Sequence, residues 1–198
     1  MAPRSALLVM DLINEIVHPD GRYAAEGYLE QVTTRGVLEH AATAIARARA
    51  AGIPVIYVVV GFSPGHPECP TGSPIFETAR VERRLTLGTW ATQVHESLAP
   101  REGEPVVAKH RINPFFGTDL DVLLRTQRIE TLLLTGVATE LVVLSTASAA
   151  ADRDYRVEVL EDATATAGKE LHDAALTVLA RYATITSVDE ALPPGGRP

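Results

Sequence analysis

Two charged side chains follow short apolar runs in this chain. Asp11 follows Ser5 to Met10 (SALLVM), and Lys109 closes Pro105 to Lys109 (PVVAK). The first run predicts a strand buried on both faces, as in a parallel sheet, and the second predicts a further strand that also ends in a charge. Because the central strands of a doubly wound sheet bring their carboxyl ends together, an acid and a lysine there can form a functional pair. Alternatively, each charge only marks where its strand leaves the core, and topology leaves both interpretations open.

The stretch from Leu132 to Thr146 (LLLTGVATELVVLST) predicts a third element of a site. An apolar run leads into a turn, and a helical pattern begins directly after it. A buried strand that turns sharply into a helix presents the free N–H groups of that helix, with their partial positive charge, at the carboxyl end of the strand. The position where such a turn would carry a nucleophile is the apolar Val142.

The elements that would position these residues alternate between strand and helix. This alternation predicts an α/β fold, a three-layer α/β/α sandwich with a doubly wound, six-stranded, mainly parallel, Rossmann-like sheet. The pattern places strands at 5–10, 54–60, 105–109, 131–134, 156–160 and near 183–186. It places helices at 36–51, 89–98, 118–125, 139–153 and 169–181.

Three segments carry no clear period. Residues 18–33 and 61–87 are predicted to be loops, and a loop as long as the second is usually a lid or a subunit contact. Residues 193–198 (PPGGRP) are predicted to be a disordered end. At 198 residues, the chain is predicted to form a single domain over 1–198.

Composition narrows the class of protein. A net charge of −7 argues against binding a phosphate backbone, which requires clustered lysine and arginine. The apolar runs are too short to span a membrane, and the first residues do not form a signal peptide. Cys69 is the single cysteine and cannot form an internal disulfide, which is typical of a reducing cytoplasm. We therefore expect a cytoplasmic protein that acts on a small molecule and binds neither nucleic acid nor membrane.

Several motifs occur in order and together resemble the isochorismatase-like hydrolases, the superfamily that also holds nicotinamidases and other cysteine amidohydrolases. The resemblance runs from about Leu7 to Val188. It implies a parallel α/β sandwich, a homo-oligomer (a dimer or tetramer), and hydrolysis of a small molecule without a cofactor. The motifs are MDLINE at 10–15, GTWA at 88–91, KHRINPFFGTDL at 109–120, TGVATELVVLSTASAA at 135–150 and VLEDATAT at 159–166.

The resemblance also assigns roles in the site. It implies that Asp11 and Lys109 form the catalytic pair. The turn Gly136-Val137-Ala138-Thr139 would contain a cis peptide bond between Val137 and Ala138, and the backbone N–H groups of Ala138 and Val142 would bind an anion.

One departure from the family pattern concerns the nucleophile. The amidohydrolase members carry a cysteine at the position of Val142, and their mechanism requires a thiolate that valine cannot supply. Cys69 lies outside the motif and is predicted to be a structural thiol. Ser145 lies one helical turn beyond Val142 and could stand in, although a helical serine usually bonds a carbonyl of the preceding turn.

The isochorismatases proper lack this cysteine and resemble the chain in needing only the acid and the lysine. They hydrolyse a vinyl ether: the acid protonates the methylene carbon, the oxocarbenium ion takes up water, and pyruvate leaves. Lys109 should lower the pKa of Asp11, whereas a general acid needs a raised one. Either burial outweighs the ammonium, or a substrate carboxylate engages Lys109. Val142 also adds two methyl groups where those relatives commonly carry glycine.

Four further residues are predicted to surround the substrate. Ile16, Trp90 and Phe115 are expected in the pocket wall, with plain core packing as the alternative. Arg111 is a candidate clamp for a carboxylate. His18 is a weaker candidate, with a surface position as the alternative.

No metal site is expected. Nicotinamidases share an Asp-Trp-His-containing loop after the second strand, and here the loop at 61–66 reads GFSPGH. His66 and Cys69 could supply two ligands, but a zinc site needs more.

These inferences lead to two hypotheses. The first is a cofactor-free hydrolase without a cysteine nucleophile, acting on a small carboxylate-bearing molecule such as an isochorismate-type vinyl ether through Asp11 and Lys109. The second is a catalytically inactive family member that binds a small molecule or serves as an oligomeric partner.

Overall fold

One parallel sheet forms the centre of the molecule. The structure is a computed structural model that describes residues 4–195, so residues 196–198 of the predicted disordered end lie outside the described residues. The strands are Ser5–Met10 (β1), Val55–Val60 (β2), Val106–Lys109 (β3), Thr131–Val137 (β4), Arg156–Ala165 (β5) and Thr184–Thr186 (β6). Their order is β3-β2-β1-β4-β5-β6, and each neighbouring pair is parallel. The predicted six-stranded doubly wound fold is confirmed.

Helices cover both faces of this sheet. Because side chains alternate along a strand, Leu7 and Val9 of β1 pack on one layer, while Leu8 and Met10 pack on the other. The helices are Asn14–Val17 (α1), Tyr28–Thr34 (α2), Val37–Ala50 (α3), Pro74–Glu82 (α4), Leu120–Thr126 (α5), Leu144–Ala151 (α6), Lys169–Leu179 (α7) and Val188–Ala191 (α8). Helices α3 and α8 contribute to the first layer, and α5 and α6 to the second. Within residues 4–195, no helix combines the length and apolar character needed to cross a bilayer.

Three local predictions were wrong. The predicted loop 18–33 contains a 3₁₀ turn at Ala24–Glu26 and helix α2, and the predicted loop 61–87 contains helix α4. The only buried residues of the nine-residue helix α4 are Phe76 and Ala79, so its apolar period is too short to detect in sequence. The predicted helix at 89–98 is instead two 3₁₀ turns, Trp90–Thr92 and Glu96–Leu98, because Val94 between them is extended and pairs with Ile13.

Gly136 of β4 leaves no room for a side chain against β1. Gly136 lies opposite Met10 in the sheet and has a φ of 137°, which is unfavourable for residues with a side chain. A Cβ atom at this position would lie 2.0 Å from the Met10 carbonyl oxygen. The turn after β4 therefore depends on glycine for both its conformation and its packing.

Substitution at this position tests that dependence. We expect Gly136→Ala to lower the free energy of unfolding by at least about 3 kcal/mol, because the methyl group collides with backbone that cannot move independently of the sheet. Urea denaturation followed by circular dichroism measures the change. Gly72→Ala is the matched control, since a Cβ atom there meets nothing within 4 Å. Equal stability of the two variants would show that the sheet tolerates a side chain at 136.

Candidate active site

The carboxylate of Asp11 and the ammonium of Lys109 form an ion pair inside the protein. Asp11 directly follows β1, and Lys109 is the last residue of β3. Strand β2 lies between them in the sheet, so the lysine side chain reaches past the end of β2. Asp11 Oδ2 lies 2.8 Å from Lys109 Nζ, and the side chains are only 5% and 2% exposed. The predicted strand ends are therefore brought together.

Further hydrogen bonds fix both members of the pair. The N–H of Val60, at the end of β2, donates to Asp11 Oδ1 at 2.8 Å. Lys109 Nζ also donates to the carbonyl oxygen of Arg111 at 3.1 Å. Buried charges need such partners to offset the loss of hydration. An ammonium has three donors, so two protein acceptors leave one N–H for a ligand.

Burial sets the protonation behaviour of Asp11. It raises the pKa of the Asp11 carboxyl above its ordinary value, and this effect outweighs the lowering by the Lys109 charge and by the hydrogen bonds from Lys109 and Val60. Asp11 could serve as an acid if burial outweighs the ammonium, or if a substrate carboxylate engages Lys109. The first condition is therefore met before any substrate binds.

The turn after β4 carries the backbone toward this pair. The peptide bond between Val137 and Ala138 is cis. The first turn of the predicted helix 139–153 is a π-helical turn at Thr139–Val143, which continues into α6. Within it, the N–H groups of Leu141 and Val143 both donate to the carbonyl oxygen of Ala138, at 3.2 and 3.3 Å.

A buried histidine anchors this turn to α7. His172 Nδ1 lies 2.8 Å from Thr139 Oγ1, and His172 is 1% exposed. Burial is the main cause that lowers the pKa of His172, with the nearby Arg35 acting in the same direction. The imidazole is therefore held in its neutral form, and its role is to position the turn.

A cavity of about 100 Å³ opens beside the ion pair. Ten of its fourteen lining residues are aliphatic or are phenylalanine, so a ligand that enters it buries mainly apolar surface. The lining residues are Asp11, Ile16, Tyr23, Tyr28, Val60, Ile75, Phe76, Leu85, Lys109, Ile112, Val137, Ala138, Leu141 and Val142. Val142 is among the lining residues and also belongs to the hydrophobic core, where it is 1% exposed.

The structure brings some of the sequence-predicted site residues together. Asp11, Lys109, Ala138, Val142 and Ile16 line the same cavity. The turn residue Val137 also lines it, while Gly136 and Thr139 lie in the turn without lining the cavity.

Two residues predicted for the pocket wall do not line this cavity. Trp90 is 43% exposed and packs edge-on against the His18 ring, with ring centroids 5.0 Å apart. Phe115 belongs to the core, where its ring stacks on that of Tyr155. Local packing decides both positions.

Arg111 is held by the backbone instead of lining the cavity. Its Nη1 atom donates to the carbonyl oxygens of Glu68 and His110, at 2.9 and 2.7 Å. Its guanidinium also lies 5.9 Å from the centre of the Phe116 ring. These contacts fix the guanidinium, and Arg111 does not line this cavity, so its role as a carboxylate clamp stays a prediction.

Sequence reasoning missed Tyr23 and Tyr28 on one wall, and Ile75, Phe76 and Leu85 on another. All five lie in the segments predicted to be loops. No apolar periodicity marks these five residues in the sequence. The one available sign of a role in the site is that aromatic residues occur in loops long enough to fold over it.

The alternative nucleophiles are not placed to attack a ligand. Cys69 is buried with its Sγ 3.7 Å from the Phe76 carbonyl oxygen, and burial raises the pKa of its thiol. Ser145 Oγ donates to the Val142 carbonyl oxygen at 3.3 Å. In the part of the chain that the structure describes, no three or more His, Cys, Asp or Glu side chains are grouped to hold a metal ion.

Similar proteins share this fold and this arrangement of elements. Residues 5–190 match the family model described as the isochorismatase domain. The chain is 30% identical to N-carbamoylsarcosine amidase from Thermoplasma acidophilum, with 94% of this chain and 97% of that chain covered and a TM-score of 0.73. It is 26% identical to an isochorismatase family protein from Desulfovibrio vulgaris, with 96% of each chain covered and a TM-score of 0.85.

An isochorismatase-like hydrolase from Alkaliphilus metalliredigens is also similar, at 26% identity and a TM-score of 0.79, with 96% of this chain and 98% of that chain covered. The family model spans almost the whole described chain. The three solved structures match this chain over nearly the full length of both chains. The chain therefore belongs to the isochorismatase family of hydrolases.

Proposed function

We propose that this chain hydrolyses a small carboxylate-bearing molecule without a covalent intermediate, with Asp11 as the proton donor and Lys109 as the carboxylate site. The observation that carries the proposal is the buried Asp11–Lys109 pair facing a cavity in which Val142 occupies the position of the nucleophile. Valine has no group that can attack a carbonyl, which favours acid/base chemistry at this site.

The reaction proposed is hydrolysis of an enol ether of the isochorismate type or a smaller relative. The substrate carboxylate binds the third donor of Lys109 and weakens its hold on Asp11, which favours the protonated acid further. Asp11 gives its proton to the methylene carbon, and the positive charge moves to the carbon that bears the ether oxygen. Water adds to that carbon and returns a proton to Asp11. The resulting hemiketal breaks its C–O bond to release pyruvate and an alcohol.

The second candidate is a family member that binds a small molecule without turning it over, or that serves as a partner in a homo-oligomer. Two observations favour it. The cavity, at about 100 Å³, is smaller than the roughly 300–1,000 Å³ of ordinary ligand pockets, and the residue at the nucleophile position, Val142, is buried in the core beside it. Retained carboxylate binding without turnover is the outcome that distinguishes it.

Replacing the acid tests the proposed role directly. We expect Asp11→Asn to lower kcat/KM at least about 100-fold, because the amide keeps the shape of the side chain but cannot donate a proton to carbon. The measurement is pyruvate release from isochorismate and simpler enol ethers of pyruvate, with a panel of amides run in parallel. Cys69→Ser is the control and should retain full activity. Activity retained in Asp11→Asn would rule out the mechanism, and a wild-type protein that binds the panel without turnover would favour the second candidate.

The pH dependence gives an independent test. Since only the protonated form of Asp11 donates, kcat/KM should be constant at low pH and fall about tenfold per pH unit above the raised pKa of Asp11. In Lys109→Met the ammonium that lowers this pKa is lost, so the descending limb should move to higher pH even though the rate falls. Initial rates over a buffer series, corrected for enzyme stability at each pH, measure both profiles. A limb that moves to lower pH in Lys109→Met would contradict the assignment.

A further inference from the structure

Two tyrosines supply the remaining polar side chains of the cavity wall. Tyr23 precedes the 3₁₀ turn Ala24–Glu26, and Tyr28 is the first residue of α2. Gly27 joins them at a φ of 101°, and a Cβ atom there would lie 2.6 Å from the Ala167 carbonyl oxygen. The segment that carries both phenols is therefore packed closely against the chain after β5.

Both phenols are hydrogen-bond donors at physiological pH. Burial is the main cause that raises the pKa of Tyr23 and of Tyr28 to about 12, so neither ionises. The Tyr28 hydroxyl lies beside Thr166. Tyr23 lines the cavity, and no side-chain hydrogen bond of its hydroxyl is found among residues 4–195, so this hydroxyl is a candidate donor to a ligand.

The surroundings of these tyrosines are acidic. Glu140 raises the pKa of Tyr28, and its Oε2 atom is buried without a hydrogen-bond partner within the described chain. The guanidinium of Arg84 lies 4.6 Å from the centre of the Tyr23 ring, but it is already paired with Glu26 and Glu82 at 2.7 and 2.9 Å. A second negative charge bound next to Tyr28 would be repelled by the Glu140 carboxylate.

Size limits the ligand further. An engineered protein cavity of about 150 Å³ holds benzene, and the cavity here measures about 100 Å³. Isochorismate carries two carboxylates on a six-membered ring framework, so both its size and its second charge are unfavourable in this cavity.

We infer that the site selects a compact monocarboxylate carrying one uncharged oxygen acceptor, with the carboxylate on Lys109 and the ether or carbonyl oxygen on Tyr23. This inference rests on the proposed function for the location of the carboxylate. It narrows the substrate class from carboxylate-bearing molecules in general to small monoanions, such as enol ethers of pyruvate with a short uncharged alkyl group. Tyr23 is thereby a specificity-determining residue.

Three small acids of similar size test this selection by binding alone. Methoxyacetate is butanoate with one CH₂ group replaced by an ether oxygen. Malonate is butanoate with its apolar end replaced by a second carboxylate. Calorimetric or NMR titration of the full chain should give methoxyacetate a Kd about fivefold lower than butanoate, and malonate the weakest binding of the three.

Variants assign the preference to named groups. Tyr23→Phe should abolish the preference for methoxyacetate while leaving butanoate binding unchanged, and Glu140→Gln should strengthen malonate binding relative to butanoate. Tyr155→Phe is the matched control, because the Tyr155 hydroxyl bonds Asp121 outside the cavity, and it should change none of the three constants.

The outcomes separate this inference from the proposed function. Selective binding of methoxyacetate without turnover of any enol ether would uphold the inference and defeat the proposed hydrolysis. If turnover depends on Asp11 but the preference for methoxyacetate over butanoate survives in Tyr23→Phe, the inference fails and the proposed hydrolysis stands. The inference is also overturned when malonate binds as tightly as methoxyacetate, or when none of the three acids binds measurably.

Discussion

The interaction on which the site depends is the buried ion pair between Asp11 and Lys109. Two opposite charges inside a protein lose most of their hydration, and they persist only where the fold supplies matched partners. Here the fold does so through three neighbouring strands: β1 leads to the acid, β2 donates the Val60 N–H, and β3 ends in the lysine. The same burial that makes the pair costly gives Asp11 its raised pKa. The feature that threatens stability is therefore also the source of a potential acid.

The position of Val142 determines which chemistry can use this acid. The sequence motif places Val142 where a cysteine nucleophile would stand, and valine cannot attack a substrate. Val142 is buried in the core beside a cavity that is small and mainly apolar. An apolar wall strengthens the electrostatic effect of the few polar groups that remain, because little water screens them. A valine at the nucleophile position and a small apolar cavity both favour the proposed reaction, protonation of a small substrate without covalent attachment.

The central sheet and the ion pair could be predicted from sequence because both follow from local pattern. Asp11 and Lys109 each end an apolar run, and parallel strands bring such ends to one edge of the sheet. The cavity wall could not be predicted in this way. Helix α4 and the tyrosines belong to segments without a period, and tertiary contacts fix their conformation. Arg111 shows the same limit: its place in the motif suggested a clamp, but the carbonyl oxygens of Glu68 and His110 decide its direction.

The proposed mechanism requires burial to outweigh the neighbouring ammonium at Asp11, and NMR measures this balance directly. Titration of the carboxyl carbon of Asp11 in ¹³C-labelled protein, assigned by comparison with the Asp11→Asn variant, gives the pKa of this one group without any substrate. We predict a midpoint above the ordinary aspartate value of about 3.9. A midpoint at or below that value would mean that Lys109 controls the pair, and Asp11 would then be a fixed counter-ion instead of an acid.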